Sequence, residues 1–247
     1  MVTGIVHVHS HFSSDGFYSI ADLADFAREA GFRFVGLTDH AEDLTSDDVK
    51  CLRRECEQHS NESCTVIPGL EFRCSGGIHI LGLGVADHIP SSNPVVVASE
   101  IRAKGGLAIL AHPSRASQNG GSELYATLDG IEIWNAAYDG RFVPPLSNLR
   151  LLQEARNTNP AILAFGGTDL HWLHRPPSVV LELAESNGVS QDIVLEELRF
   201  GRFSIRGKYV CFGANARTNQ LARFPLWVLR RLYEVSKAVR DVALGET

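Results

Sequence analysis

GIVHVHSHFSSDG, residues 4–16, joins a short apolar run to three histidines at alternate positions, an aspartate and a glycine. The apolar run is typical of a buried strand, in which alternate residues face the same side. His7 and His9 can therefore face one point if they end that strand. Ordinary patterning resumes at Tyr18 and Ile20, so the unusual composition is local.

Short apolar runs alternate with amphipathic stretches through most of the sequence, a pattern that indicates α/β structure with repeated β-α units and a largely parallel sheet or barrel. The predicted strands are 4–9, 34–40, 65–72, 78–84, 107–113, 130–135, 161–167 and 179–183. The predicted helices include one that follows the Ser19 and Asp22 capping box and ends at Gly31, and others at 46–58, 95–104, 146–156, 190–199 and 226–242. No repeat or linker interrupts the pattern, so we expect a single domain over residues 1–247.

Composition is that of an ordinary globular protein: 247 residues, 44% hydrophobic, with a formal net charge of −6. We find no signal peptide before His7 and no apolar run long enough to span a membrane. Five cysteines without CxxC spacing argue against a disulfide framework and against a zinc knuckle. These features predict reduced thiols in a cytoplasmic protein.

The C-terminal part of the chain is basic, because residues 199–240 hold ten Lys or Arg and one acidic residue. Its predicted helix, 226–242, carries a narrow apolar seam at 4-3-4-3 spacing, formed by Val228, Leu232, Val235, Val239 and Val242. We expect this seam to pack on the barrel or on a second subunit of a homo-oligomer. Contact with an anionic membrane or a nucleic acid is the alternative.

Histidines and acids recur where the predicted strands end, the edge at which parallel α/β folds build their sites. Seven lie at strand exits: His7, His9, His40, Glu71, His112, Asp169 and His171. Two more complete the set of nine: Asp15 lies in the loop after the first strand, and His79 opens the fourth strand, where it could face Glu71 across a tight turn. Six imidazoles and three carboxylates suit Zn, Mn or Fe, and Glu71 or Asp169 could bridge two ions. Three divalent metals sharing nine such ligands would keep positions open for water and substrate.

These residues lie in motifs that follow one another from His7 to His171. The motifs are His7-Val8-His9-Ser10 with Ser14-Asp15-Gly16, Thr38-Asp39-His40, Pro68-Gly69-Leu70-Glu71, His79-Ile80-Leu81-Gly82, Ala111-His112-Pro113 and Thr168-Asp169-Leu170-His171. In this ordered set the chain resembles the PHP family, the polymerase and histidinol phosphatase superfamily of metal-dependent phosphoesterases. The resemblance implies a distorted (β/α)7 barrel.

The resemblance also implies three ligand sets. The first is His7, His9, Glu71 and Asp169; the second is Glu71, His79 and His112; the third is Asp15, His40 and His171. Asp15 resembles the branch of the family that includes nucleotide phosphatases and phosphodiesterases. That branch often carries an inserted small domain, for which the span from Pro113 to Ile162 leaves little room.

Hydrolysis of a small phosphate ester, such as a nucleotide or a sugar phosphate, by a metal-bound hydroxide is the function that we expect. Arg115 is the side chain that we expect to bind the phosphate, and His174 is a candidate general acid. Asp39 is expected to orient a ligand imidazole or to cap the following segment. Trp134 and Asn135 could line the substrate pocket. A tryptophan at the end of a strand, however, more commonly packs in the core.

Two other functions compete with this one. A metal-stabilised, non-catalytic binding or scaffold domain could use the basic end to recruit nucleic acid. A metal-dependent amidohydrolase shares the His-x-His strand but usually needs a carbamylated lysine, and no predicted strand ends in lysine. Among the remaining histidines, His59 and His88 are predicted to be solvated, and a role for His11 stays open.

Overall fold

The computed structural model describes residues 1–115, 120–173, 177–184, 189–217, 228 and 230–236. It confirms the α/β class. The strands are β1 Val2–Val8, β2 Phe34–Leu37, β3 Asp39–His40, β4 Thr65–Ile67, β5 Gly69–Arg73, β6 His79–Leu83, β7 Leu107–Leu110, β8 Gly130–Asn135, β9 Leu163–Gly167, β10 Val179–Leu183, β11 Phe203–Gly207 and β12 Cys211–Gly213. The helices are α1 Ile20–Glu29, α2 Ser46–His59, α3 Pro94–Ala103, α4 Gly121–Thr127, α5 Leu146–Thr158 and α6 Gln191–Arg199.

The strands form two six-stranded sheets, in the orders β12-β11-β10-β1-β2-β4 and β3-β5-β6-β7-β8-β9. Both sheets are mixed: β1 runs parallel to β2 but antiparallel to β10, and β6 runs antiparallel to both β5 and β7. The expectation of a largely parallel sheet is therefore wrong. The turn between β5 and β6 is too short for the crossover that a parallel pair requires, so these strands form a hairpin.

The two sheets are joined near the C-terminal end of β1. Only Thr38 separates β2 from β3, and only Pro68 separates β4 from β5, so the chain passes twice from the first sheet to the second. On the other side of β1, the His9 amide donates to the Leu170 carbonyl at 3.0 Å, and Val8 bridges Leu170 in parallel. The seam between the sheets thus lies at the exit of the first strand.

Most sequence-predicted elements are present. All eight predicted strands have counterparts, but 34–40 and 65–72 are each divided in two where the chain changes sheet. The capping box is confirmed, since Ser19 Oγ accepts from the Asp22 amide at 3.1 Å. The sequence did not predict α4, β11 or β12, which are short. No helix in the described ranges combines the length and apolarity needed to cross a membrane.

Trp134 is completely buried, which confirms core packing and corrects the expectation that it lines a substrate pocket. Its Nε1 donates to the Gly140 carbonyl at 2.7 Å, and its six-membered ring lies against Gly207. The pocket-lining expectation for Asn135 is also wrong, because this side chain is buried and bonds within the protein. Every residue of β8 is buried, because both faces of this strand are covered by other parts of the protein.

Residues 228 and 230–236 of the predicted C-terminal helix are helical, and the rest of 226–242 lies outside the described residues. Arg230 Nη1 donates to the Asp139 carbonyl at 2.6 Å and to the Val143 carbonyl at 3.2 Å, which fastens this helix to the segment between β8 and α5. Leu232 and Val235 of the apolar seam are exposed. Packing of that seam on a second subunit stays a prediction.

Replacing Gly207 by Ala should destabilise the fold, because the new Cβ would lie 2.0 Å from Trp134 Cη2 in a packed core. We expect the free energy of unfolding, measured by urea denaturation, to fall by roughly 1–3 kcal/mol. Gly213→Ala on the neighbouring strand is the matched control, because the nearest atom to its Cβ lies at 3.2 Å. Equal stability of the two variants would contradict this account of the Trp134 packing.

Candidate metal centre

Glu71, on β5 of the second sheet, is the buried centre of a histidine cluster. Its two carboxylate oxygens lie close to five imidazoles. The distances are 3.2 Å to His7 Nε2, 3.3 Å to His9 Nε2, 3.5 Å to His40 Nδ1, 2.6 Å to His79 Nδ1 and 3.0 Å to His112 Nε2. The hairpin of β5 and β6 places His79 against Glu71 across the turn, as the sequence predicted.

Two further carboxylates complete the cluster. Asp169 Oδ1 lies 3.5 Å from His7 Nε2 and 3.3 Å from His9 Nε2. Asp15 Oδ1 lies 3.4 Å from His40 Nε2, and its Oδ2 lies 3.1 Å from His171 Nε2. The structure therefore brings together all nine residues of the sequence-predicted set, drawn from both sheets.

Three groups within the cluster have ligand atoms within 4.8 Å of one another. They are His9, Asp15, His40 and His171; His7, His9 and Asp169; and His7, Glu71 and His112. These groups resemble the three expected sets, except that the group of His7, His9 and Asp169 lacks Glu71, His9 also joins the Asp15 group, and His7 also joins the His112 group. His79 belongs to none of the three, although its Nδ1 contacts Glu71.

Within the part of the chain that the structure describes, three buried atoms of the cluster have no hydrogen-bond partner: His9 Nε2, Asp169 Oδ2 and His171 Nε2. A buried polar atom without a partner carries a desolvation cost that native structures rarely tolerate. Imidazole nitrogens and carboxylate oxygens are also the ligands that Zn, Mn and Fe accept. The residues present therefore fit a divalent metal.

The charges of the cluster depend on one another. Burial, the largest influence, acts to lower the pKa of His9, but the carboxylates of Asp169 and Glu71, each 3.3 Å from His9 Nε2, outweigh burial and raise that pKa to about 9. Burial likewise opposes ionisation of Glu71, yet His7 and the hydrogen bond with His112 hold its pKa well below the usual range. The carboxylates thus stay ionised inside the protein, where cations balance them.

The backbone is strained at three candidate ligands. His7, His112 and Asp169 have φ of 63°, 23° and 49°, a region that residues other than glycine seldom adopt. The β1 to β2 register also shifts between Val6 and Val8, so His7 occupies an irregularity of the strand. Strain of this kind costs about 1–3 kcal/mol per residue and is typical of functional sites.

Glu132, on β8, hydrogen-bonds to two members of the cluster, although it was not among the residues predicted from the sequence. Its Oε1 accepts from His7 Nδ1 at 2.8 Å, while its Oε2 accepts from the His112 amide at 2.8 Å and from Asn135 Nδ2 at 3.1 Å. This bond leaves His7 Nε2 facing Glu71. The available signal was an acid within the apolar strand GIEIWN, where a buried charge requires partners.

Asp39 also supports the cluster, but through a neighbour. It accepts hydrogen bonds from the Ser10 amide at 2.7 Å, from Ser10 Oγ at 2.8 Å and from Ser13 Oγ at 2.7 Å. Ser13 Oγ in turn lies 3.2 Å from His9 Nδ1. Asp39 therefore orients His9 through Ser13, rather than contacting the adjacent His40.

Arg115 lies beside the His112 part of the cluster. Its guanidinium carbon is 4.7 Å from the centre of the Tyr138 ring, and that ring packs edge-on against His112 at 5.3 Å. Asp139 fixes this region, because it is buried and accepts from Ser114 Oγ at 3.2 Å and from the Asn135 amide at 2.8 Å.

The remaining sequence-predicted residues lie apart from these groups or outside the described structure. His11 is exposed and packs on Phe12, and it belongs to none of the three groups. His88 is exposed, as expected, whereas His59 is half-buried at the end of α2. His174, the candidate general acid, lies outside the described residues.

Comparison with known proteins gives a family and a fold. The PHP domain family matches residues 6–137, and no curated protein matches the chain. A two-domain protein from Bacteroides vulgatus, which contains a predicted PHP-like metal-dependent phosphoesterase, is similar in structure, with a TM-score of 0.57 at 18% identity over 86% of this chain and 66% of that one. PsfC from Pseudomonas syringae has a TM-score of 0.56 at 16% identity over 96% of this chain and 99% of its own.

At such identities the structural similarity concerns the fold alone, and this chain spans 66% of the length of the Bacteroides vulgatus protein. The family match rests on different ground, since residues 6–137 are more than half of the chain and carry seven of the nine clustered residues, from His7 to His112. The chain belongs to the PHP domain family.

Proposed function

We propose that the protein is a phosphoesterase that hydrolyses a small phosphate ester at a site holding three divalent metal ions, Zn, Mn or Fe. The observation that carries this proposal is the convergence of all nine ligand-type side chains, with three of their buried donor atoms lacking hydrogen bonds. A domain that had lost catalysis and kept only a scaffold role would not need a complete set. The completeness therefore favours an enzyme.

The proposed ligands are those of the three expected sets. His7, His9, Glu71 and Asp169 would hold the first ion; Glu71, His79 and His112 would hold the second; Asp15, His40 and His171 would hold the third. When bound, divalent metals lower the pKa of a coordinated water to about 7 and neutralise charge that develops on a phosphoryl group. Glu71 contacts an imidazole of each of the three sets, which supports its place in more than one of them.

The chain's own residues orient this site. Glu132 fixes the tautomer of His7 by accepting from Nδ1, and Ser13 with Asp39 does the same for His9. Arg115 is proposed to bind the phosphate with its planar guanidinium, which is held against Tyr138 beside His112. The substrate is proposed to be a small phosphorylated molecule such as a nucleotide or a sugar phosphate.

We also propose that the two sheets are the walls of a distorted (β/α)7 barrel, in one domain spanning residues 1–247. The passages from β2 to β3 and from β4 to β5, together with the Val8 and Leu170 bridge, support this arrangement. A cytoplasmic location is proposed as well, because all five cysteines are unpaired.

Glu132→Gln should weaken metal binding, because an NH2 group replaces one of the two carboxylate oxygens. That group is a donor and cannot accept from the backbone N–H of His112 or from His7 Nδ1. We expect roughly 10- to 100-fold lower metal affinity, measured by chelator competition with elemental analysis of the protein. Glu182→Gln is the control, since this mostly buried carboxylate pairs with Arg206 and not with the cluster. Unchanged affinity in Glu132→Gln would show that this carboxylate does not support the metals.

His112→Ala should abolish most phosphate release, because it removes an imidazole that contacts Glu71 at the proposed second ion. Metal-loaded protein is screened with nucleotides, histidinol phosphate and sugar phosphates, and kcat/KM of the variant should fall by about 100-fold or more on the best substrate. His88→Ala, at an exposed histidine, should match wild type. If fully metal-loaded wild type hydrolyses neither monoesters nor diesters, the proposed function is wrong.

Arg115→Ala should raise KM for that substrate by roughly 10- to 100-fold, because two charge-assisted hydrogen bonds to phosphate are lost. Metal content should stay that of wild type, since Arg115 is no metal ligand. Arg54→Ala, at an exposed position on α2, is the control for loss of a cation. A KM equal to that of wild type would remove Arg115 from the phosphate site.

A further inference from the structure

Among the three carboxylates of the metal centre, Asp15 is the one that is exposed to solvent. Glu71 and Asp169 have side chains that are 1% and 4% exposed, whereas Asp15 is 54% exposed. His40 and His171, which flank Asp15, are also partly accessible. The side chains that follow Asp15 and His171 in the chain therefore lie near this exposed part of the centre.

Two large aromatic side chains stand there, Phe17 and Trp172. Phe17 follows Asp15 by two positions, and Trp172 directly follows His171. Their rings are stacked with centroids 3.9 Å apart and an interplanar angle of 28°. We call this pair the aromatic platform.

The aromatic platform remains accessible although it is apolar. Phe17 is 58% exposed and Trp172 is 50% exposed. Exposed apolar surface is common, but two adjoining aromatic rings at the mouth of a polar site form a local patch of the kind that marks ligand binding. Stacked rings present planar faces, and a further planar ring binds to such a face whatever its detailed hydrogen-bonding pattern.

The position of the aromatic platform relative to the metal centre is fixed on both sides. A Cβ at Gly16 would lie 1.8 Å from the Ser10 carbonyl oxygen, so only glycine permits the tight return of the loop before Phe17. The His11 amide donates to the Tyr18 carbonyl at 2.8 Å and closes the same loop. Asp15 Oδ2 lies 3.1 Å from His171 Nε2, and this contact holds the segments that carry Phe17 and Trp172 side by side.

We propose that Phe17 and Trp172 bind a planar aromatic ring of the phosphate ester while its phosphate lies at the metal centre. This inference rests on the proposed function and names the class of ester: one that carries a ring a short distance from phosphorus. Two sources share that chemistry, a nucleobase and a smaller phenyl-type ring. The aromatic platform therefore determines specificity and takes no part in bond breaking.

A purely structural role makes a different prediction. If the stacked pair served only to hold the loops of Asp15 and His171 together, its loss would weaken the binding of aromatic and saturated ligands alike. The two roles are therefore separated by comparing ligands that differ only in the ring.

The test measures equilibrium binding of non-hydrolysable phosphonates to the Mn²⁺-loaded full-length protein by titration calorimetry. One ligand pair is benzylphosphonate and cyclohexylmethylphosphonate; the other is the phosphonate analogues of AMP and of ribose 5-phosphate. We expect the aromatic member of at least one pair to bind about 5- to 100-fold more tightly to wild type. That preference should fall to roughly onefold in Trp172→Leu and decrease in Phe17→Leu.

Phe200→Leu is the matched control, because Phe200 is 64% exposed, belongs to no part of the site and should keep the wild-type preference. Preference within the AMP pair alone identifies a nucleobase, and preference within the benzyl pair alone identifies a smaller ring. The proposal is overturned by equal affinity within both pairs, by absence of phosphonate binding, or by variants that weaken both members of a pair equally. Platform-dependent binding without hydrolysis of any ester would instead overturn the proposed function and keep this inference.

Discussion

The whole arrangement depends on the burial of one carboxylate, that of Glu71, among five imidazoles. A charge at this depth is costly unless it is paired and hydrogen-bonded, so the surrounding side chains must come to it. They arrive from both sheets: His7 lies in β1 and His9 follows it, whereas Glu71 and His79 lie in strands of the second sheet and His112 follows β7. The site therefore lies at the seam of the sheets, where the chain passes between them, and its strained residues lie there as well.

Hydrogen bonds from residues around the cluster explain how its flexible side chains are held in one arrangement. Glu132 bonds simultaneously to the His7 ring and to the His112 backbone, so one carboxylate fixes ligands from two different strands. Gly167 lies so close behind it that a Cβ there would clash with Glu132 Oε1. Asp39 acts in the same manner on the opposite side through Ser13. His7, His9 and His112 are thus supported by residues that are themselves buried, which keeps these three ligands in place.

The sequence predicted the nine clustered residues because strand exits are readable from short apolar runs and because five of the eight predicted exits carried histidines or acids. It could not predict the hairpins that make both sheets mixed, since sheet pairing is a property of the folded chain. The position of Trp134 was open for a similar reason: an aromatic residue near a strand end faces the core or the surface according to what covers the strand. Glu132 was missed because an acid in an apolar run gives no sign of which imidazole it will meet.

The contact between Thr168 and the first strand has a consequence for how the protein is made. Thr168 Oγ1 donates to the His7 carbonyl at 2.8 Å across 161 positions of sequence, and Asp169 follows at once. During synthesis, the first histidines leave the ribosome long before the carboxylate that faces them. The nine-residue cluster can therefore be completed only after Asp169 and His171 have been synthesised, and until then His7 and His9 lack the carboxylate of Asp169.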